Sequence, residues 1–456
     1  MDPFVTVKIT GLDRTRPNGL SLPSRRDNGA MHYDTVIIGG GAGGLELAAQ
    51  LGRKLGRAEG RERILLADRS SFHIWKPTLH EVAAGTLDPQ QEGLSYTFLA
   101  RRNHFSFVLG DLVELDPTAH ELSLGEIRDE TGTVLVPRRT IGFDRLVLAL
   151  GSGSNSFGTP GFEHAYVLEQ ASDAQRFHVR LLNAFLRCAF APGQSLRIAI
   201  VGAGATGVEL SAELIEAHSE LTDTLRADQR FELEITLVEA ADRILGGLPE
   251  RIAAQAQRAL EQKGVRVLTG TKVLAIDAGG LSTSAGELRT DLTVWAAGIK
   301  AADANREFGL ETNRLNQFVV DRRLATSAAG IYAIGDCAAC PWRDGKPVPA
   351  RAQAAHQQAA WLAQALIDGE NGRPAREAFV YRDFGSLVSL GDNEGVGNLM
   401  GGLSGRNFFV EGLIAKWMYM SLHLMHHRVI LGLGKTAVLA LARLLQHRVS
   451  GRVKLH

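Results

Sequence analysis

The chain has 456 residues, of which 45% are hydrophobic and 22% are charged, a composition typical of a soluble globular protein with room for about three domains. Its 50 lysines and arginines balance 50 aspartates and glutamates, which excludes a general polyanion binder and leaves any basic surface to local asymmetry. The three cysteines, Cys188, Cys337 and Cys340, are too few for a disulfide framework and indicate a reducing compartment.

The first 30 residues contain no apolar core segment, so they do not form a secretory signal. They carry four arginines but also three aspartates, which argues against a transit peptide. We expect residues 1–30 to be a disordered extension and the folded part to begin at Met31.

The first folded segment predicts a strand, a tight glycine turn and a helix. An apolar run ending at Ile38 leads into Gly39, Gly41 and Gly44. The first glycine permits the turn, the second lets a pyrophosphate approach the backbone, and the third lets the helix pack on the strand. Asp68 ends the next apolar run, where a carboxylate can bind a ribose diol. The pattern therefore predicts a dinucleotide at the start of this helix.

Four further segments complete the first half of this domain. The polar stretch Arg53–Arg63 is interpreted as an insertion at the helix end. The aromatic and basic residues of Ser71–Gly85 favour a wall for a flavin ring, with Lys76 as a cation, although an ordinary surface loop is the alternative. Phe105–Val113 and Asp144–Gly151 predict two more strands that end near the nucleotide.

A second dinucleotide unit follows the first. The strand before Gly202 leads into a second glycine motif completed by Gly204 and Gly207. Glu239 ends the next strand, where its carboxylate suits the diol of NADH and repels the 2′-phosphate of NADPH, while the nearby Arg243 leaves NADPH possible. Two copies of this pattern indicate one bound flavin nucleotide and one nicotinamide nucleotide.

Glu209 lies in the first turn of the helix that follows Gly207. Its carboxylate either complements the helix dipole or projects toward the nicotinamide, and spacing alone does not decide between the two.

The apolar run Ile331–Ile334 ends in Gly335 and Asp336, where the glycine allows close backbone approach and the carboxylate can accept hydrogen bonds from ribityl hydroxyls. This strand returns the chain to the first domain. Cys337 and Cys340 follow at CxxC spacing, which fits a redox dithiol or half a metal site. Since no second CxxC exists, we expect no metal site and interpret the thiols as incidental.

The segment Pro349–Gln357, read with both glycine motifs and Gly335–Asp336, resembles the bacterial type II NADH dehydrogenases, the single-chain NADH:quinone oxidoreductases. The resemblance covers Met31 to His456. Trp75–Pro77, Gly385–Leu390 and Val453–His456 are similar to the enterobacterial-type subgroup. Many members carry a lysine where this chain has Phe384, so a role for that lysine in quinone protonation is not expected here.

The resemblance implies non-covalent FAD in the first domain, NADH in the second and a membrane quinone that reaches the flavin past Gln353 and Gln357. It assigns Glu209 to the nicotinamide side and makes Glu209, Gln353 and Gln357 the candidate catalytic residues. His356 is a third candidate quinone residue, and Glu209, His356 or water must supply the protons. The residues implied for FAD are Gly39, Gly41, Ala42, Gly43, Gly44, Asp68, Lys76, Val113, Gly151, Gly335, Asp336, Ala352 and Gln353. Those implied for NADH are Gly202, Gly204, Ala205, Thr206, Gly207, Glu209, Glu239, Ala297 and Gly298.

The expected reaction is hydride transfer from NADH to FAD, followed by two-electron reduction of the quinone, without proton pumping. One alternative is a sulfide:quinone oxidoreductase, for which Cys337 and Cys340 are the candidate thiols. The other is a flavoprotein sensor that binds NADH and signals by a conformational change.

The tail from Asn407 onward is apolar and basic, with Glu411 as its acidic residue. Four cations interrupt it and leave no uncharged run near the roughly 20 residues that a bilayer crossing needs; they are Lys416, Arg428, Lys435 and Arg443. This composition predicts amphipathic helices on an anionic lipid surface. The resemblance implies that this surface is the cytoplasmic face of the bacterial inner membrane. A packed helical hairpin or a dimer interface is the alternative.

The predicted fold class is α/β, with two doubly wound Rossmann-type domains and a C-terminal amphipathic helical region. The expected segments are the extension 1–30, the FAD domain in two parts (31–165 and 306–385), the NADH domain 166–305 and the membrane region 386–456. We also expect a homodimer and no nucleic-acid partner.

Overall fold

The computed structural model describes residues 31–191, 193–343, 345–391, 395–400 and 407–449. The predicted extension 1–30 and the terminal segment 453–456 lie outside the described residues.

Ten helices are described. They are α1 Ala42–Arg63, α2 Leu79–Ala84, α3 Pro89–Glu92, α4 Tyr96–Asn103, α5 Ala171–Ala189, α6 Ala205–Thr224, α7 Glu250–Gln262, α8 Ala352–Glu370, α9 Gly412–Leu431 and α10 Leu433–Val449.

Twenty-six strands are described. They are β1 Met31–Ile38, β2 Ile64–Asp68, β3 Phe72–His73, β4 Leu94–Ser95, β5 Ser106–Leu109, β6 Leu112–Asp116, β7 Glu121–Leu124, β8 Ile127–Arg128, β9 Val134–Val136, β10 Arg139–Leu148, β11 Gly153–Ser154, β12 Tyr166–Val167, β13 Ser195–Val201, β14 Glu232–Val238, β15 Arg266–Leu268, β16 Val273–Asp277, β17 Gly280–Thr283, β18 Gly286–Arg289, β19 Leu292–Trp295, β20 Ile299–Lys300, β21 Phe318–Val319, β22 Ile331–Ala333, β23 Ala338–Ala339, β24 Gly385–Ser389, β25 Gly395–Met400 and β26 Asn407–Glu411.

The first sheet places the first glycine motif at its carboxyl edge. Its strand order is β5-β2-β1-β10-β7-β6, and β22 also pairs in parallel with β10. Val36, Ile37 and Ile38 of β1 are buried, as expected for a parallel strand covered on both faces. Because β22 lies more than 180 residues after β10 in the chain, the second sheet is formed from the sequence between them.

The second sheet has the order β12-β19-β13-β14-β15 and is parallel throughout. Its β13 ends at Val201, directly before the second glycine motif, and β14 ends directly before Glu239. A separate hydrophobic core beneath it includes Ile198, Ile200 and Leu237. Each glycine motif thus follows a strand with parallel neighbours, and each has its own sheet and hydrophobic core.

Two segments differ in conformation from a simple interpretation of the sequence. Arg53–Arg63, interpreted as an insertion at the helix end, is itself helical and continues α1 to Arg63 after a kink where Gly56 has φ of 75°. Phe105–Val113 is not one strand, because Gly110, with φ of 158°, separates β5 from β6. The first part pairs in parallel with β2, whereas β6 pairs antiparallel with β7.

The C-terminal region is not uniformly helical, because the antiparallel sheet β24-β25-β26 precedes α9 and α10. The end of α9 packs into the first core, where His426, Ile430 and Leu431 are buried. In α10 the apolar side chains of Val438, Leu441 and Leu445 are exposed instead. Of the helices in the described ranges, none has the length and apolar character needed to cross a bilayer.

Candidate active site

The first glycine turn is built so that its backbone is accessible. Gly39 has φ of 102°, and a side chain there would collide with the carbonyl of Ala149. A side chain at Gly44 would collide with the carbonyl of Gly39, so α1 lies directly against the turn. The space around Gly41 is open for 4 Å. The start of α1, including Ala42 and Gly43, therefore has room for a phosphate at its free N–H groups.

The second glycine turn repeats this geometry. Gly202 has φ of 100° and lies against Ala297, and a side chain at Gly207 would collide with the carbonyl of Gly202. Gly204 faces open space, and Ala205 and Thr206 at the start of α6 are exposed. Gly298, with φ of 65°, follows β19 on the same edge.

A carboxylate braces each turn. Asp68 Oδ2 accepts from Gly40 N at 2.6 Å, and Glu239 Oε2 accepts from Ala203 N at 2.7 Å. Burial raises the pKa of Asp68. Because a carboxylate offers about four lone-pair positions, each can brace its turn and still accept from a ribose diol.

Lys76, Gly151 and the Gly335–Asp336 turn, all predicted for FAD, lie close together in the structure. Lys76 Nζ donates to the carbonyl of Ser152 at 2.6 Å, and Ser152 Oγ donates to Asp336 Oδ2 at 3.0 Å. Gly151 precedes this serine. Gly335 N donates to Gln358 Oε1 at 2.7 Å, which ties the Gly-Asp turn to α8 one and a half turns after Ala352.

Val113 stands apart from this group. It lies on the antiparallel β6, and 48% of it is exposed.

Glu209 is a buried carboxyl group at the start of α6. Its Oε1 accepts from Ser389 N of β24 at 3.1 Å, and its Oε2 lies 3.5 Å from His80 Nδ1. Burial raises the pKa of Glu209 well above its ordinary value and lowers the pKa of His80 to about 4. The neutral imidazole of His80 therefore lies beside a carboxyl group whose protonated form is favoured by burial.

Gln353 and Gln357 both bind the backbone of the segment 382–385. Gln353 Nε2 donates to the carbonyl of Gly385 at 2.9 Å, and its Oε1 accepts from Phe384 N at 3.2 Å. Gln357 Nε2 donates to the carbonyl of Arg382 at 2.8 Å, and its Oε1 accepts from Arg382 N at 3.0 Å. The two amides face the same segment.

His356 does not join this pair. Its Nδ1 bonds to Glu46 Oε2 at 2.5 Å, and Glu46 Oε1 bonds to His426 Nδ1 at 2.7 Å. His426 Nε2 lies 2.8 Å from His73 Nε2, and His73 Nδ1 lies 3.0 Å from the carbonyl of Gly40. Four side chains thus connect α8, α1 and α9 to the first glycine turn.

This hydrogen-bond network was not predicted from the sequence. The available signals were Glu46, a carboxylate on an otherwise apolar helix face, and the histidines at 423, 426 and 427, which share one face of α9. Trp75 was predicted for a flavin wall, but its ring packs on His426 and His423, with centroids 4.4 and 5.8 Å away.

The cysteines are buried and free of disulfides. Cys337 Sγ donates to the carbonyl of Ile334 at 3.3 Å. Burial raises the pKa values of Cys337 and Cys340 to about 12, so neither is a thiolate at neutral pH. In the described part of the chain, no group of three or more His, Cys, Asp or Glu side chains is arranged to hold a metal ion.

Comparison with known proteins first defines the class. A family model described as pyridine nucleotide-disulphide oxidoreductase matches residues 33–359. The fold is that of NDH2 from Plasmodium falciparum in complex with NADH, with a TM-score of 0.76 at 18% identity over 93% of this chain and 99% of that one.

Two curated relatives narrow the family. The type II NADH:quinone oxidoreductase of Haemophilus influenzae is 38% identical over 93% of this chain and 100% of its own length. The enzyme of the same name from Staphylococcus aureus is 29% identical over 80% of this chain and 89% of its own. The chain belongs to the type II NADH:quinone oxidoreductases, within the pyridine nucleotide-disulphide oxidoreductases.

Glu239→Gln is expected to narrow the preference for NADH over NADPH by roughly tenfold or more, because the negative charge opposing a 2′-phosphate is removed. Glutamine keeps one acceptor oxygen for the N–H of Ala203, so the turn stays braced. The ratio of kcat/KM for the two nucleotides is the measurement. Equal use of both by the wild type would contradict the role of Glu239.

Proposed function

We propose that the protein is a membrane-surface FAD enzyme that oxidises NADH and reduces a quinone. The observation that carries this proposal is the pair of carboxylate-braced glycine turns, each at the end of a parallel strand in its own sheet. The assignment is also supported by the 38% identity to the Haemophilus influenzae type II NADH:quinone oxidoreductase.

The first turn is the one that fits FAD. The open space at Gly41 suits a pyrophosphate, Asp68 suits a ribose diol, and Asp336 suits ribityl hydroxyls. FAD, when bound, supplies a group that accepts a hydride from NADH and passes two electrons to a quinone. The second turn is the one that fits NADH, with Glu239 toward its ribose.

The groups that can hold a proton or donate a hydrogen bond are side chains of the protein. Glu209 is buried in the first turn of the NADH-binding helix, beside β24, and burial raises its pKa. We infer that it positions the nicotinamide side of the site and holds a proton there. Gln353 and Gln357 supply amide donors for quinone carbonyls, and an incoming quinone would have to compete with the backbone of residues 382–385 for them.

The membrane contact is proposed for α10. Val438, Leu441 and Leu445 lie at i, i+3 and i+7, which places them on one face of the helix, and all three are exposed. Lys435 supplies a cation beside them. A helix of this kind lies in the interface with its apolar face down, at the cytoplasmic side of the inner membrane where NADH is available.

A homodimer remains a prediction, and sedimentation in mild detergent tests it.

The two alternatives make different demands on the site. Sulfide oxidation requires reactive thiols, whereas the described Cys337 and Cys340 are buried and protonated. A sensor requires NADH binding without turnover. A steady-state assay with NADH or sulfide as donor and a water-soluble quinone as acceptor separates the three. NADH-dependent quinone reduction is expected, and sulfide-dependent reduction would favour the first alternative.

Gln353→Ala and Gln357→Ala are expected to slow reoxidation of the flavin by quinone about tenfold or more, because each removes a hydrogen-bond donor. Reduction by NADH should be unchanged. Stopped-flow absorbance follows each half-reaction separately. Gln364→Ala is the matched control, since Gln364 is on the same helix but bonds Asp368. A variant that is slow only in flavin reduction would refute this placement of the quinone.

A further inference from the structure

An arginine-rich cavity lies where the end of α9 meets α1 and α4. It has a volume of about 500 Å3 and is lined by Arg53, Arg102, Arg428, Asn103 and His356, among others. We call it the arginine cavity. It does not include Gln353 or Gln357, which face residues 382–385.

Part of this cluster has a structural role. Arg53 Nη1 donates to the carbonyl of Val429 at 2.6 Å, Asn103 Nδ2 donates to the carbonyl of Ile430 at 3.1 Å, and Arg102 donates to the carbonyl of Leu431. These bonds cap the last carbonyls of α9. A guanidinium has five N–H donors, so capping leaves most of them available to a ligand.

The three guanidiniums of the cavity outnumber the carboxylate whose charge acts on Arg53, which is Glu46. Within the described ranges, Arg53, Arg102 and Arg428 form no salt bridge with an aspartate or glutamate. Glu46 is engaged by His356 and His426. Burial and the charge of Arg102 both lower the pKa of Arg53, while its bond to Glu46 raises the pKa of His356. Three guanidiniums and an imidazole therefore face one space.

The helix end that lines the cavity is followed directly by α10. A second cavity, of about 600 Å3, is lined by Arg57 and Arg61 of α1 and by Arg101 of α4, the two helices that also line the arginine cavity. Lys435 of α10 lies 5.0 Å from the ring of the exposed Phe98 on α4, so α10 contacts the same helix. Basic residues beside an exposed apolar helix face are what an anionic lipid layer attracts.

We propose that the arginine cavity binds a phosphate group, the chemistry shared by an anionic phospholipid headgroup and a soluble phosphate ester. The planar forks of arginine match phosphate oxygens in pairs, and the cavity has room for a phosphate with its ester substituent. If the phosphate group comes from a lipid headgroup, the inference rests on the membrane contact proposed above. If it comes from a soluble phosphate ester, the inference does not depend on that contact.

The test uses Arg428→Gln. Arg428 is exposed, and no described side-chain bond joins it to a carbonyl of α9. Removing its guanidinium therefore leaves the end of α9 capped. Arg57→Gln is the matched control, since it removes the same charge from outside the arginine cavity. The FAD-loaded full chain is used throughout. NADH turnover with a water-soluble quinone is expected to be the same in both variants.

The first arm measures flotation with phosphatidylglycerol–phosphatidylcholine vesicles. Arg428→Gln should weaken partitioning roughly tenfold or more, from the loss of charge-assisted hydrogen bonds, while Arg57→Gln should weaken it no more than about fivefold, the effect of one surface charge. The second arm measures the rise in Tm caused by inorganic phosphate at constant ionic strength, in the wild type and in both variants.

A selective loss in the vesicle arm assigns the site to a lipid headgroup, and a selective loss of the phosphate-dependent rise in Tm assigns it to a soluble phosphate. If Arg428→Gln matches Arg57→Gln in both arms, the inference is wrong. In that case normal NADH:quinone turnover and normal flotation of the wild type would leave the proposed function standing.

Discussion

Replacing Leu441 and Leu445 with glutamine is expected to lower partitioning onto anionic vesicles roughly 100-fold, because burial of each leucine in the lipid contributes about 1.5–3 kcal/mol. Both side chains are exposed, at 58% and 57%, so the protein core loses nothing by the change. Vesicle flotation measures the effect. NADH turnover with a water-soluble quinone should be retained.

The control replaces Leu135 and Leu186, which are exposed to a similar extent, at 62% and 57%, on β9 and α5. That variant should float like the wild type. Equal flotation of both double variants would remove α10 from the membrane contact. Deleting everything from residue 407 is a poorer test, because it would also remove Ile430, which is buried in the first core.

Glu46→Ala is expected to lower the free energy of unfolding by about 3 kcal/mol or more, the usual cost of removing one partner from a buried charged pair. Glu46 is fully buried and bonds both His356 and His426. Glu59→Ala on the same helix is the control. The Glu59 side chain is 61% exposed in its salt bridge to Arg63, and a surface ion pair of this kind typically contributes about 1 kcal/mol or less to the free energy of unfolding. Denaturant unfolding of the FAD-loaded protein measures both.

The effect of Glu46 should depend on pH in a defined direction. Burial raises the pKa of Glu46, but the hydrogen bonds from His356 and His426 outweigh this, and the pKa lies below its ordinary value of 4.5. The stabilisation is therefore present above pH 4.5 and lost as the pH falls through the folded-state pKa. The bond to Glu46 raises the pKa of His356 above its ordinary 6.5, so that contribution is complete below pH 6.5 and is lost as the pH rises.

The difference in Tm between the wild type and Glu46→Gln should consequently be largest between pH 4.5 and 6.5. A difference that grows steadily from pH 6 to pH 9 would contradict the ion pair.

The sequence predicted the geometry of the two glycine turns because that geometry is local. Gly39, Gly44 and Asp68 belong to one strand-turn-helix-strand unit, and the spacing of the glycines indicates where the backbone must come close. The turn at Gly335 and Asp336 could be located for the same reason, and the role of Asp336 toward ribityl hydroxyls stays a prediction.

The parts that escaped prediction depend on contacts between distant residues. Glu46 and His426 are separated by 380 positions, and no periodicity within α1 or α9 indicates that they meet. Glu209 and Ser389 are 180 positions apart, so the burial that raises the pKa of Glu209 is visible in the fold and not in the motif. The helical conformation of Arg53–Arg63 was not predicted, because polar composition is as typical of an exposed helix as of a loop.

The central claim is tested most directly by anaerobic stopped-flow absorbance on the FAD-loaded protein. One equivalent of NADH should bleach the flavin, and a quinone added in a second mixing step should restore the absorbance at a rate at least equal to kcat. Sulfide in place of NADH should leave the spectrum unchanged. A flavin that NADH reduces but that quinone fails to reoxidise would contradict the account.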